Sequence, residues 1–184
     1  MTLATPAPSV PRFNRAYGLI VIKELNEGER IIEGIASTPT PDRVGDIVEP
    51  LGAQFKTPMP LLWQHKSDQP VGHVTFAKAS ADGIAFRAKI VRVDEPGTLK
   101  DRVDEAWQSV KTDLVKGVSI GFSPIEFNFM KDGGIRFEKW DWLELSLVTI
   151  PANQEATISS IKSVDTALRA ALGQKRSVVS IRPG

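Results

Sequence analysis

Apolar residues recur at every second position through much of this chain, and that period limits the folds open to it. Ile84, Phe86, Ala88 and Ile90 share one parity, as do Val118, Ile120 and Phe122, and again Leu143, Leu145 and Leu147. Successive side chains of a strand point to opposite faces, so each run predicts a strand with one face turned to a core. Asn26-Glu27-Gly28, Ala81-Asp82-Gly83 and Lys131-Asp132-Gly133-Gly134 supply turns between runs. Strands are expected over 17–24, 30–37, 71–77, 84–93, 118–123, 126–130, 134–140 and 142–150. The helical period enters twice. Leu99, Val103, Ala106, Trp107, Val110 and Leu114 predict one helix, with Thr98 and Asp101 spaced as a capping box and Gly117 as its C-terminal glycine. Ile158, Ile161, Val164, Leu168 and Leu172 predict a second, started by Pro151 and Asn153 and ended by Gly173. Strands and helices do not alternate, so nothing suggests a parallel sheet. The expected class is mainly β with peripheral helices, as a closed or nearly closed antiparallel β-barrel of about eight strands.

A single domain is expected over 15–173. Residues 1–14, with Pro6, Pro8 and Pro11, lack an apolar period and a signal-peptide core, and read as a flexible leader. Residues 174–184, with Lys175, Arg176 and Arg182, read as a flexible basic tail. The loop over 37–50 is punctuated by Pro39, Pro41 and Pro50 and carries Asp42, Arg43 and Asp46, for which an Asx-type turn is the default.

The residue inventory limits the chemistry further. There is no cysteine, which removes disulfides, thiolate metal sites and thiol nucleophiles. The two histidines, His65 and His73, are too few for a multi-histidine metal site. No metal and no cofactor is expected. Lys and Arg number 23 against 22 Asp and Glu, a net charge of +1, which argues against a nucleic-acid partner. No apolar run approaches the ~18 residues of a membrane span, so no membrane partner is expected.

Three segments hold residues that could react. In Gly117-Val118-Ser119-Ile120-Gly121-Phe122, Ser119 points away from the face of Val118, Ile120 and Phe122. It is either a surface serine or a nucleophile with space left by its glycine neighbours. The spelling matches Gly-x-Ser-x-Gly, but the helix precedes the serine, so this is not the strand-to-helix elbow. In Leu61-Leu62-Trp63-Gln64-His65-Lys66, His65 lies at a strand or loop end, where it could serve as a base. His73 lies within a strand, opposite Val74 and Phe76, and reads as an outward side chain. Between Trp140 and Val148, alternation puts Leu143, Leu145 and Leu147 on one face and Glu144, Ser146 and Val148 on the other. Glu144 is either a solvated carboxylate or the partner that orients an imidazole. The second reading gains if Glu144 and Ser119 sit on neighbouring strands.

These segments occur in a telling order. Gly34-Ile35-Ala36-Ser37 leads into Asp42-Arg43-Val44-Gly45-Asp46. Trp63-Gln64-His65, then Gly117 to Phe122, then Leu143 to Val148 with Pro151-Ala152-Asn153 follow. Over roughly residues 17–160 the ordered set closely resembles the prohead (capsid maturation) serine proteases of HK97-type tailed phages, which also occur in prophages and gene-transfer particles. The resemblance implies a serine endopeptidase related in fold to the herpesvirus assemblins, a barrel of about seven strands ringed by helices. It makes Ser119 the nucleophile and His65 the general base. The assemblins place a histidine third. This chain has none after His73, so Glu144 takes that role, with Asp141 as the alternative. Ala152-Asn153 corresponds to the oxyanion stretch. The implied substrates are the capsid scaffold or the scaffolding arm of the major coat protein, and the protease itself. The implied place is inside the immature capsid in the bacterial cytoplasm. A homodimer stays open. Two other readings compete: a non-catalytic capsid assembly or scaffold module with the same barrel, and a serine esterase of small acyl substrates.

Overall fold

A computed structural model describes residues 14–21, 29–42, 45–131 and 133–149. The predicted turn at 26–28, Arg43, the second helix and the tail lie outside the described residues. Those residues form strands β1 (Asn14–Val21), β2 (Ile31–Ile35), β3 (Ile47–Val48), β4 (Ala53–Gln54), β5 (Met59–Trp63), β6 (Lys66–Ser80) and β7 (Gly83–Ile90). Helix α1 (Thr98–Lys111) follows, then the long strands β8 (Gly117–Phe129) and β9 (Ile135–Val148).

The strands form one sheet in the order β3-β9-β5-β6-β7-β2-β1-β8, in which β4 also pairs with β9 and β9 also pairs with β8. Most neighbours are antiparallel, and the short connections β5–β6, β6–β7 and β8–β9 require it of three pairs. The expected antiparallel barrel is nevertheless corrected, because the sheet is mixed. Ile47 pairs with Arg136, Ala53 with Trp140 and Leu61 with Leu145, all in parallel. The stretch 47–63, expected to be loop and an apolar run, travels alongside β9 in the same direction. Its first two strands have two residues each, too short to show a period, and their partners stand far along the chain.

The predicted alternation of β7 holds: Ile84, Phe86, Ala88 and Ile90 are all fully buried. Across β8, Val118, Ile120 and Phe122 are buried as well, with Phe122 edge-to-face against Phe137 at 5.0 Å and Trp140 at 5.4 Å. Helix α1 buries Val103, Ala106, Trp107 and Val110, while Leu99 and Leu114 are exposed. Burying a side chain of the size of Val contributes about 1.5–3 kcal/mol, so this stripe is what holds the helix to the sheet. The expected caps are corrected. Gly97 is the N-cap and makes no side-chain bond, Thr98 is already helical, and Gly117 opens β8. The left-handed residue after the helix is Asp113, with φ 60°.

Each long strand replaces two expected short ones. Their ladder breaks register between Gly121 and Phe122, between Pro124 and Glu126, and between Glu126 and Phe127. Gly121 faces Glu144 while Phe122 faces Trp142, which leaves Leu143 as an extra residue on β9. Ile125 is extra on β8 and Glu138 on β9 by the same logic. Bulges of this kind let Pro124, which has no N–H to donate, remain inside a strand.

Candidate active site

Trp63 and Lys66 are paired, so β5 and β6 are joined by only two residues, Gln64 and His65. Both are left-handed, with φ 52° and 58°. Two such residues match the twist of a tight hairpin, although each costs about 1–2 kcal/mol without glycine. Three hydrogen bonds hold the turn to the end of β9. Gln64 N–H donates to the Leu147 carbonyl at 3.0 Å, Gln64 Nε2 to Thr149 Oγ1 at 2.8 Å, and Thr149 N–H to Gln64 Oε1 at 3.5 Å. The imidazole is thereby folded back over the sheet, where the side chain is 7% exposed. The sequence placed His65 at a strand end but carried no sign of this turn.

On the sheet, Ser119 stands directly opposite Ser146, and Gly121 opposite Glu144. Opposed residues of an antiparallel pair share a face, so all four lie on the face away from Val118, Ile120 and Phe122. Both open readings of exposure are decided by burial. Ser119 is fully buried and Glu144 is 5% exposed, so neither is a solvated surface group. The expected grouping of Leu143 with Leu145 and Leu147 is corrected. Leu143 is the exposed bulge residue, and the bulge lets Trp142 and Leu145 both face the core while Glu144 faces the site.

The carboxylate is held at both oxygens. His65 Nδ1 lies 3.0 Å from Glu144 Oε1, and Ser146 Oγ donates to Oε2 at 2.7 Å. Trp142 Nε1 donates to the Glu144 carbonyl at 2.7 Å, which pins the backbone beside the bulge. Gly121 is the floor of this arrangement. A Cβ built there would lie 2.3 Å from Glu144 Oε1, so any side chain would displace the carboxylate. With Nδ1–H donating to a carboxylate, the neutral imidazole presents Nε2 as its basic nitrogen. Ser119 Oγ is buried and has no hydrogen-bond partner among the described residues. The structure therefore joins His65 to Glu144 directly and brings Ser119 to the adjoining row of the same face.

The rivals stand elsewhere. Asp141 is exposed and lies opposite Ser123, and His73 is exposed on β6 beside buried Val74. Ala152 and Asn153 lie outside the described residues. Alternation puts Ser146 on the face of Glu144, but its hydrogen bond has no sequence signal. Among the described residues, no three His, Asp or Glu side chains gather as a metal would require. A groove of about 720 Å³ runs beside Trp142 and Leu143, lined also by Phe55, Lys56, Pro58 and Met59.

The Asp42–Asp46 loop gains a structural role. Asp46 N–H donates to Asp42 Oδ1 at 3.0 Å, and Gly45 N–H to the Asp42 carbonyl at 3.0 Å. An aspartate side chain thus ties Asp42 to Asp46, with its bond four residues on where the expected Asx-type turn would bond two residues on. Asp46 Oδ1 in turn accepts Ile135 N–H at 2.8 Å, at the first residue of β9. Burial pushes the Asp46 carboxyl above the ordinary carboxylate value; the Ile135 amide opposes that and the charge of Asp42 adds to it. Gly134, with φ 80°, packs so closely that a Cβ would lie 2.2 Å from the Gly45 carbonyl oxygen. The loop thus anchors the strand that carries Glu144.

Known proteins resemble this chain along most of its length. The chain is 57% identical over 172 residues to the capsid polyprotein of Pseudomonas phage PAJU2, covering 92% of this chain and 26% of that protein. It is 25% identical over 166 residues to the prohead protease of Escherichia phage T5, covering 85% of this chain and 75% of that protein. The chain thus spans about a quarter of the length of the PAJU2 protein. No solved structure matches it. The family model for caudovirus prohead serine proteases matches residues 48–170, a span that takes in β5, β8 and β9 with His65, Ser119 and Glu144, and the chain belongs to that family.

Proposed function

We propose that this chain is the serine endopeptidase of phage capsid maturation, with Ser119 as nucleophile, His65 as general base and Glu144 as the group that orients His65. The observation that carries the reading is the buried His65–Glu144 contact of 3.0 Å on the face that also bears Ser119. Family membership supports the reaction class, and the name of the PAJU2 relative favours a coat protein as substrate.

The chemistry follows from the placement. His65 Nε2 takes the Ser119 proton as Oγ attacks a peptide carbonyl, then delivers it to the leaving amine. Water repeats the sequence on the acyl-enzyme and releases Ser119. Glu144 holds Nδ1–H in line and stabilises the imidazolium formed at each step. Backbone N–H groups must receive the oxyanion, and Ala152-Asn153 is the stretch proposed for it. The coat-protein scaffolding arm, a separate scaffold and the protease's own termini are the proposed cleavage targets, within the immature capsid.

Co-expression with the coat protein tests this, comparing the wild type with Ser119→Ala. Shortening of the coat protein only by the wild type is expected. Equal shortening by both would remove Ser119 as nucleophile, and no shortening by either would favour the assembly-module reading.

A further inference from the structure

We propose that Ser146 is a positioning residue of the active site, holding the Glu144 carboxylate so that its other oxygen is aimed at His65. The inference rests on the assignment of Ser119, His65 and Glu144 made above.

Glutamate has a long side chain with a freely turning carboxyl end, so a buried glutamate needs its oxygens fixed before it can align an imidazole. Three contacts do that here. The β8 backbone at Gly121 lies beneath the carboxyl group, His65 Nδ1 meets Oε1 at 3.0 Å, and the Ser146 hydroxyl donates to Oε2 at 2.7 Å. Ser146 is fully buried, and its bond to Glu144 runs between residues two apart on β9, whose side chains share a face. Each carboxylate oxygen thus has a contact from a protein group. Taking the hydroxyl away leaves Oε2 buried and unsatisfied, a state that favours rotation away from His65. Ser146 also stands directly opposite Ser119, so the hydroxyl that holds Glu144 sits on the strand position facing the nucleophile.

Alanine would fill much of the same buried space, so packing alone does not call for serine. The hydroxyl does, because an acceptor-only carboxylate needs a donor. The requirement is for a small side chain with an O–H, which threonine also meets.

The test reads Ser119 reactivity directly, with a fluorophosphonate as the probe. In that reaction the Ser119 Oγ–P bond forms, fluoride leaves, and His65 takes the hydroxyl proton. Ser146→Ala is expected to slow labelling by about tenfold or more while still unfolding cooperatively within several degrees of the wild type. The downfield proton resonance of His65 Nδ1–H should move upfield or broaden in the same variant. Ser146→Thr should recover most of the rate and the resonance. Ser146→Cys, which keeps the size and weakens the donor, replaces Ser146→Ala if that variant does not fold, with the same expectation. Wild-type labelling and an unmoved resonance in Ser146→Ala, with Glu144→Gln slow, would overturn the role of Ser146 and leave the catalytic assignment standing. Undiminished labelling of Ser119→Ala would overturn that assignment itself.

Discussion

His65 and Glu144 are 79 positions apart in the chain and meet at 3.0 Å, each with a side chain only 7% exposed. That contact separates these two residues from the other histidine and from the nearby Asp141. His65→Ala and Ser119→Ala should both abolish coat-protein cleavage, whereas His73→Ala should remain active. Glu144→Gln should lower kcat by on the order of 10²–10⁴-fold with cleavage still detectable, because oxyanion and substrate binding persist. Asp141→Asn should cleave at the wild-type rate. Quantitative cleavage of purified coat protein checks all four variants, and activity in His65→Ala would sink the assignment.

Gly121 should tolerate no side chain, although it lies in a strand, where alanine is otherwise acceptable. Gly121→Ala puts its Cβ where Glu144 Oε1 and Cδ now lie, at 2.3 and 2.8 Å. Overpacking of this kind costs about 1–3 kcal/mol, and the flexible carboxyl end is what gives way. The expected outcome is a protein that melts within several degrees of wild type yet cleaves about 10²-fold more slowly. A variant with full activity would mean that Glu144 can orient His65 from another position.

Leu143 should be more dispensable than its size suggests. As the extra residue of a bulge, it has no partner on β8, and its removal leaves Trp142 and Glu144 opposite Phe122 and Gly121 as before. Removing Leu145 instead would turn Ser146 toward the core and Leu147 away from it, because a one-residue slip reverses every following side chain. Deletion of Leu145 should abolish cooperative thermal unfolding, while deletion of Leu143 should preserve it. Circular dichroism during heating distinguishes the two, and equal damage from both deletions would contradict the register.

Two aspartates should mark the acid limb of stability in opposite directions. The raised Asp46 carboxyl holds its proton better folded than unfolded, so its contribution is fully present below the ordinary carboxylate value and is lost as pH rises through the raised one. Asp46→Asn keeps an acceptor for Ile135 N–H and should remove that loss, giving a protein at least as stable at neutral pH. Asp104 is lowered, first by the Lys100 hydrogen bond and then by that of Arg30 at 2.6 Å. Its contribution is present above the ordinary value and disappears as pH falls through the lowered one. Near the surface this effect is small and should shrink further in high salt. Melting temperatures from about pH 3 to 7 check both signs.

Much of this protein is written locally. The parity of Ile84, Phe86, Ala88 and Ile90, the buried stripe of α1, and the placement of Ser119 opposite the face of Val118, Ile120 and Phe122 all follow from periods of two and 3.6. His65 at a strand end and the inventory of two histidines and no cysteine narrow the chemistry by themselves, because they leave few groups able to act as a base or a nucleophile. What periodicity could not reach is the inward set of β9, which runs Phe137, Trp140, Trp142, Leu145 and Leu147 because Glu138 and Leu143 are bulged. A bulged residue looks like any other in a chain of side chains, and only the partner strand shows that it has nothing opposite. The same holds for the parallel pairing of 47–63 with β9 and for the return of His65 onto Glu144. Strand periodicity is a property of one segment and states which side chains share a face. Which segments then lie side by side is decided by backbone hydrogen bonds between distant residues, and that choice turned a row of separate residues into a site.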